Sequence, residues 1–177
     1  MMNFIKTSID GAYHIKLEAV ADHRGYLARS FCAETFSQKG LVSEFVQSNI
    51  SYNSHRGTLR GLHFQSLPYQ ETKLIRCSRG AIFDVMVDLR KDSASYLKTF
   101  SIELKQENLS MLYIPAGVAH GFQTLEDHTE LSYQMSMPYQ AEYAQGIRWD
   151  DPLFNISWPI DHKILSARDQ ALSFWKV

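Results

Sequence analysis

Two histidines, a lysine and an arginine lie in short segments whose composition is typical of β-strands. Residues 60–65 contain Arg60 and His63, Lys73 follows, and His120 ends a later segment. If these side chains converge in a small barrel, the pocket contains a base, a cation for an oxyanion and a cation for a phosphate. This set of groups suits the abstraction of a proton next to a carbonyl.

The composition indicates one domain spanning residues 1–177. The chain has 45% hydrophobic and 12% aromatic residues, which are enough for one sizeable core. Its 177 residues are too few for two ordinary domains. Eighteen Lys and Arg against nineteen Asp and Glu leave a formal net charge of -1. No basic field would therefore recruit nucleic acid, and an anionic ligand must be held by local cations.

The cysteines and the hydropathy pattern indicate a cytoplasmic protein. Cys32 and Cys77 lack metal-site spacing and are too few for a disulfide framework, as expected in a reducing compartment. The first residues are followed by polar ones rather than by the apolar core of a signal peptide. No apolar run approaches membrane-spanning length, so we expect no membrane partner.

Period-two alternation in the middle of the chain predicts β-strands. Thr129, Leu131, Tyr133 and Met135 fall on one face, so Tyr133 should point into the core with a hydroxyl that needs a partner. Similar alternation covers residues 73–79 and 83–89, with a turn expected between them. Helical periodicity is weak and favours only residues 33–39 and the stretch after residue 166. The chain is therefore predicted to be an all-β sandwich or barrel with short peripheral helices.

Arg60 and His63 are three residues apart, so a regular strand would point them to opposite faces. Gly61 lies between them and could host a bulge that re-aims one of the two. A bulge would let both side chains reach one pocket.

The segment 115–120, Pro-x-Gly-x-x-His, resembles the second motif of cupins, the small double-sheet jelly rolls. A metal-binding cupin also has a His-x-His pair and a Glu in its first motif, but Gln65 stands two positions after His63. Glu71 would be a displaced acid, and the set is poor for a metal. We therefore predict no metal site.

Six motifs resemble, in order and at similar spacing, those of the dTDP-4-dehydrorhamnose 3,5-epimerase family. They are RGLHFQ at 60–65, KLIRC at 73–77, FDVMVDLRK at 83–91, IPAGVAHGF at 114–122, IRWDDP at 147–152 and LSARD at 165–169. The resemblance implies a cupin-like jelly-roll barrel, a homodimer that shares strands near the N-terminus, and no metal or organic cofactor. It also implies epimerisation at C3, C5 or both of a nucleotide-diphospho-4-keto-6-deoxyhexose, in a pathway that supplies deoxysugars to surface polysaccharides or other glycosides.

The same resemblance implies catalytic roles for four residues. His63 would remove the proton beside the C4 ketone, with Asp169 supporting its imidazole. Tyr133 would return a proton from the opposite face of the ring, and Lys73 would stabilise the enolate oxygen. The residue types agree, because a neutral imidazole is a competent base near neutrality and a phenol keeps its proton until a basic carbon appears.

The expected substrate contacts come from several segments. Arg24, reaching across the dimer, would bind the diphosphate or orient the sugar together with Arg60 and His120, and Tyr139 would lie near the nucleotide base. The full predicted set is Arg24, Arg29, Gln47, Asn49, Arg60, His120, Tyr139 and Arg168.

Three positions depart from the family pattern. Arg29 and Ala144 stand where acidic residues are common, and Glu71 stands where Gln is usual. None of them is the base, its carboxylate or the acid. The reaction type is therefore expected to be kept, while the nucleotide and the exact sugar stay open.

Two other functions are alternatives to the predicted epimerisation of a dTDP-linked sugar. The first is a single-centre epimerase acting on a CDP-linked sugar, because Arg29 could donate to the ring nitrogen of cytosine, whereas a carboxylate suits the N–H of thymine. The second is a cupin that binds sugar nucleotides without catalysis. Retention of His63, Asp169 and Tyr133 together argues against simple binding, which needs neither an acid nor a base.

Overall fold

The computed structural model describes residues 1–176, which form two main sheets, a separate hairpin and two short helices. The strands are β1 (Met2–Lys6), β2 (Tyr13–Leu17), β3 (Ala19–Asp22), β4 (Gly25–Ala28), β5 (Gln47–Asn53), β6 (Leu59–Gln65), β7 (Lys73–Arg79), β8 (Ala81–Asp88), β9 (Thr99–Lys105), β10 (Ser110–Ile114), β11 (Val118–Thr124), β12 (Thr129–Met135) and β13 (Ala144–Gly146). The helices are α1 (Ala33–Gln38) and α2 (Ala167–Gln170), at the two places that the weak helical periodicity favours. The turn between β7 and β8 falls at Gly80, whose φ is +70°.

The two main sheets are antiparallel and face each other. One has the strand order β1-β2-β10-β7-β12-β5 and the other β13-β6-β11-β8-β9, whereas β3 and β4 pair only with each other. Alternate residues of the facing strands, such as Ile75, Met86, Leu112 and Leu131, meet in a shared core. The period-two pattern of the sequence therefore produces a double-sheet barrel, because alternate residues of each strand point into the layer between the two sheets.

The outer faces of both sheets are also covered. Phe36 of α1 packs over the six-stranded sheet. The C-terminal segment covers the five-stranded sheet, where Trp149, Trp158 and Trp175 pack around the outward face of β8. The indole of Trp158 donates a hydrogen bond to the Trp149 carbonyl at 2.8 Å. This cover fixes the chain that leads to α2 and brings α2 against β6.

A bulge at Gly61 confirms the irregularity predicted for this strand. On β11, His120 and Phe122 are two residues apart, but their partners on β6, His63 and Arg60, are three apart. Gly61 has φ +110°, and a Cβ there would lie 2.7 Å from the His120 carbonyl oxygen. Glycine is therefore required, and the extra residue lets Arg60 and His63 line the same cavity.

No helix in residues 1–176 is both long enough and apolar enough to cross a membrane.

Candidate active site

A cavity of about 450 Å³ opens between the two main sheets. Its walls come from β5, β6, β7, β11 and β12 and from the segments that carry Tyr139 and Arg168. The predicted residues that line it are Arg60, His63, Lys73, His120, Tyr133, Tyr139 and Arg168. The fold thus brings together side chains that are spread over more than a hundred positions of the sequence.

His63 and Asp169 form a hydrogen-bonded pair on the wall made by β6. His63 Nε2 lies 2.6 Å from Asp169 Oδ1. Asp169 belongs to α2, which begins where the Ser166 hydroxyl accepts a hydrogen bond from the Asp169 backbone N–H at 3.1 Å. Because a carboxylate only accepts, Nε2 carries the hydrogen, and Nδ1 keeps a lone pair that can accept a proton.

The Asp169 carboxylate stays ionised although it is almost completely buried. Burial alone would raise its pKa, but hydrogen bonds from the His63 imidazole, the Ser166 side chain and the Gly61 backbone outweigh it, so the pKa lies below the ordinary value. A buried anion next to the imidazole stabilises the imidazolium that forms when His63 accepts a proton. The arrangement can therefore act as a supported general base.

Tyr133 lies on the opposite wall, on β12 of the six-stranded sheet, as the alternation predicted. Its ring packs against the shared core, and its hydroxyl makes no hydrogen bond to any residue between 1 and 176. Burial raises the Tyr133 pKa, and Glu71 adds to the rise while Arg60 opposes it. The phenol therefore holds its proton at neutral pH and is free to hydrogen-bond a ligand in the cavity.

Lys73 begins β7 and lines the cavity. Its ammonium is 2.7 Å from Glu71 Oε1 and donates to the His63 carbonyl oxygen at 3.3 Å. Both side chains of the ion pair are nearly buried. Water is thus largely excluded around the ammonium, where its attraction for a developing oxyanion is strongest.

His120 contacts a carboxylate that the sequence reasoning missed. His120 Nε2 lies 3.0 and 2.9 Å from the two oxygens of Asp84, which is completely buried on β8. Burial raises the Asp84 pKa more than His120 and Lys73 lower it. The sequence did contain a signal for this contact. Asp84 is an acidic residue within an apolar strand, and a buried carboxylate needs a hydrogen-bonding partner.

Polar side chains surround the mouth of the cavity. The Arg60 guanidinium donates to Asn53 Oδ1 at 2.7 Å, so Asn53 is a second positioning group that the sequence reasoning missed. The Arg168 guanidinium donates to the Tyr139 hydroxyl at 3.4 Å. Two cations and an aromatic ring at one opening suit a diphosphate and a flat base.

Gln47 and Asn49 lie on the inner face of β5 beside this mouth. The Gln47 amide donates to Asn49 Oδ1 at 3.1 Å and accepts from the Tyr139 backbone N–H at 2.9 Å. Both amides also contact the sulfur of Met135, which lines the cavity. They connect Tyr139 to β5 and hold the aromatic side chain near the opening.

Arg24 and Arg29 lie outside the cavity formed by their own chain. Arg24 is exposed at the turn of the β3–β4 hairpin and pairs with Asp22, its Nη2 lying 2.5 Å from Asp22 Oδ2. Arg29 is exposed just after β4. Of the three departures from the family pattern, Glu71 and Ala144 line the cavity whereas Arg29 does not.

Within residues 1–176, no three His, Cys, Asp or Glu side chains are grouped so that they could hold a metal ion. His63 and His120 are each paired with a single carboxylate instead. The metal-free reaction stays a prediction, and the effect of chelation on turnover tests it.

Comparison with known proteins decides the family. Residues 6–176 match the model of the dTDP-4-dehydrorhamnose 3,5-epimerase family. The chain is 43% identical over 171 residues to the dTDP-4-dehydrorhamnose 3,5-epimerase of Sinorhizobium fredii, covering 96% of this chain and 88% of that protein. This chain belongs to the dTDP-4-dehydrorhamnose 3,5-epimerase family. The resemblance drawn from the six motifs is confirmed, as is the assignment to the epimerases.

Solved structures of other dTDP-4-dehydrorhamnose 3,5-epimerase family members share the fold. The Bacillus anthracis enzyme with TDP and PPi bound superposes with a TM-score of 0.96 at 38% identity, covering 99% of this chain and 100% of that one. The Legionella pneumophila enzyme in complex with dTDP-4-keto-L-rhamnose gives a TM-score of 0.93 at 35% identity, covering 98% and 93%. The expected cupin-like jelly-roll fold is confirmed.

Proposed function

We propose that this protein epimerises dTDP-4-dehydro-6-deoxyglucose at C3 and C5 through an enolate, using only its own side chains. One observation carries the proposal. The supported base His63 and the phenol Tyr133 come from opposite sheets and face one cavity, which also contains the buried Lys73 ammonium. A base and an acid on opposite sides of a sugar ring are what inversion at carbon requires.

In the first step, His63 Nδ1 removes the proton from a carbon next to the C4 ketone. The electrons of the broken C–H bond form the C=C bond of the enolate, and the negative charge develops on the C4 oxygen. Lys73 donates to that oxygen, while Asp169 pairs with the new imidazolium. Preorganised donors of this kind typically supply several powers of ten in rate.

In the second step, Tyr133 donates its proton to the opposite face of the same carbon. The C4 carbonyl re-forms and the configuration is inverted. The imidazolium loses its proton and the phenolate regains one, both by exchange with water, so the protein returns to its starting state. The neighbouring carbon on the other side of the ketone undergoes the same two steps.

The mouth of the cavity suits the rest of the substrate. Arg60 and Arg168 supply two positive charges for the diphosphate, and Tyr139 supplies an aromatic face for the base. The chain as a whole has a formal charge of -1, so these local cations must attract the anion. The Bacillus anthracis relative contains TDP, and we extend that nucleotide to this chain.

We also propose that the protein is a homodimer joined through the β3–β4 hairpin and the edge strand β5. Val20 and Leu27 on the hairpin are 77% and 79% exposed, and Ile50 on β5 is 72% exposed. β5 ends the six-stranded sheet, so its outer edge can accept another strand. Apolar residues on an open sheet edge are typical of a surface that a second copy covers.

Such a dimer would also explain the position of Arg24. The guanidinium lies at the turn of the hairpin, away from its own cavity. If the hairpin docks on a partner, Arg24 moves to the partner's site. Leu27→Asp should give a monomer by size-exclusion chromatography with light scattering. A wild-type monomer at micromolar concentration would contradict the proposal.

We propose a cytoplasmic location and a role in supplying deoxysugars to surface polysaccharides or other glycosides. The free thiols Cys32 and Cys77 support a reducing compartment. Recovery of the activity in the periplasmic or membrane fraction of cells would contradict this location.

The reaction is tested by incubating the protein with dTDP-4-dehydro-6-deoxyglucose in D2O. NMR should show deuterium at both C3 and C5 and the appearance of the doubly inverted ketosugar. Deuterium at only one carbon would replace the proposal by a single-centre epimerase. A higher kcat/KM with the matched CDP-linked sugar would replace the nucleotide, and binding without any exchange would indicate a non-catalytic protein.

A further inference from the structure

One oxygen of the Glu71 carboxylate has no hydrogen-bond donor within residues 1–176, and the chemistry proposed for His63 and Tyr133 does not use this oxygen. Glu71 is only 6% exposed, and its Oε1 lies 2.7 Å from the Lys73 ammonium. The second oxygen, Oε2, is buried and receives no hydrogen bond from residues 1–176. A buried carboxylate oxygen without a donor is costly. Glu71 is one of the residues that line the cavity, so a bound sugar would lie against this residue.

The donors of Lys73 can be counted in the same way. An ammonium has three N–H groups. One faces Glu71 Oε1 and another donates to the His63 carbonyl oxygen at 3.3 Å. One N–H is left for a ligand. The ion pair therefore has one unused donor, on Lys73, and one unused acceptor, on Glu71.

A ketone with a hydroxyl on the neighbouring carbon has the complementary pattern. Its carbonyl oxygen accepts a hydrogen bond, and its hydroxyl donates one. We propose that Glu71 is a specificity-determining residue that accepts a hydrogen bond from the C3 hydroxyl of the sugar, while Lys73 donates to the C4 oxygen. This inference rests on the proposed function and adds the group that selects an α-hydroxyketone.

The role predicts a preference that can be measured on two substrates. A sugar without the C3 hydroxyl leaves Glu71 Oε2 unpaired in a buried site, and sites of this type reject the deficient analogue. For one hydrogen bond to a charged group, we expect a loss of about 10- to 100-fold in kcat/KM.

The experiment compares dTDP-4-dehydro-6-deoxyglucose with its 3-deoxy analogue. Both keep the hydrogen on C5, so deuterium uptake at C5 in D2O gives kcat/KM for each. Wild type should prefer the hydroxylated sugar, whereas Glu71→Met should lower that preference to within about threefold, because neither substrate then meets an acceptor. Glu71→Gln, which keeps the volume, should give an intermediate ratio. Glu103→Gln alters an exposed carboxylate on β9 and should keep the wild-type ratio.

The ratio separates specificity from a structural role. If Glu71 only positions Lys73, its replacement slows both substrates equally and the ratio stays at the wild-type value, which would overturn the inference. Absence of any preference in wild type would overturn it too. If Glu71→Met fails to fold, Glu71→Gln decides alone, and an unchanged ratio there rejects the role. A folded wild-type protein that turns over neither substrate would refute the proposed function itself.

Discussion

Replacement of Asp169 by Asn tests whether the buried carboxylate makes His63 a base. The variant keeps the size of the side chain but removes the negative charge 2.6 Å from the imidazole. The Asn amide can also donate to Nε2, which would favour the tautomer with the hydrogen on Nδ1. Nδ1 would then have no lone pair for the substrate proton.

The magnitude follows from the burial of the pair. The Asp169 side chain is 5% exposed, so water screens the charge weakly. Two unit charges about 4 Å apart interact by about 4 kcal/mol at an effective dielectric constant of about 20. A hydrogen bond to a charged group contributes about 1.5–3 kcal/mol net. Since about 1.4 kcal/mol is tenfold in rate, we expect kcat to fall roughly 100- to 1000-fold.

The assay is the initial rate of deuterium uptake at C3 and C5 in D2O, measured as kcat and KM separately. KM should change little, because Asp169 lies behind His63 and does not line the cavity. Asp150→Asn is the matched control, since Asp150 pairs with Arg148 at 2.8 Å outside the cavity and should keep kcat. A folded Asp169→Asn variant with kcat within about threefold of wild type would refute the assignment.

The other predictions concern the proposed acid Tyr133, the effect of chelation, the bulge at Gly61 and the Asp88–Arg90 ion pair. Tyr133→Phe should lose net inversion more than solvent exchange, because His63 can return a deuteron to its own face; equal losses by NMR would count against this division. Prolonged dialysis against EDTA should leave turnover unchanged, and a stoichiometric metal whose removal abolishes activity would contradict the metal-free mechanism. Gly61→Ala should lower Tm by several degrees, since its φ of +110° and a Cβ contact of 2.7 Å with the His120 carbonyl oxygen are both unfavourable, and an unchanged Tm would contradict the strain. Asp88 has its pKa lowered to about 2: burial opposes the shift, but hydrogen bonds from Arg90, Ser93 and Ser95 prevail. Its stabilisation is therefore present above the unfolded pKa of about 4 and is lost as pH falls toward 2, so the Tm difference between wild type and Asp88→Asn should shrink over that range; a constant difference would contradict the linkage.

The sequence predicted those features that depend on local periodicity. The alternation of β12 predicted that Tyr133 faces the core. The three-residue separation of Arg60 and His63, with Gly61 between them, predicted the bulge. Asp84 was missed for a physical reason. Both faces of β8 are buried, so alternation alone cannot say which side faces the cavity.

Contacts between distant segments could not be derived from spacing. His63 and Asp169 are 106 positions apart, and their pairing was expected only from the family resemblance. Their contact depends on how the C-terminal segment covers the five-stranded sheet. Arg24 and Arg29 lie outside the cavity of their own chain, and the role proposed for Arg24 depends on the proposed homodimer, which no pattern within one chain determines.

The separation of the base and the acid onto different sheets has a consequence for how the site can be tuned. β6 and β12 share no backbone hydrogen bonds, so the gap between His63 and Tyr133 is set by side chains in the core. Sheets that face each other lie about 10 Å apart, and the thickness of that layer varies with side-chain volume. Apolar core residues such as Ile75 and Phe122 therefore act as spacers between the two groups that we propose to transfer protons. A change of one methylene there would alter proton delivery to one face of the ring without touching any polar group.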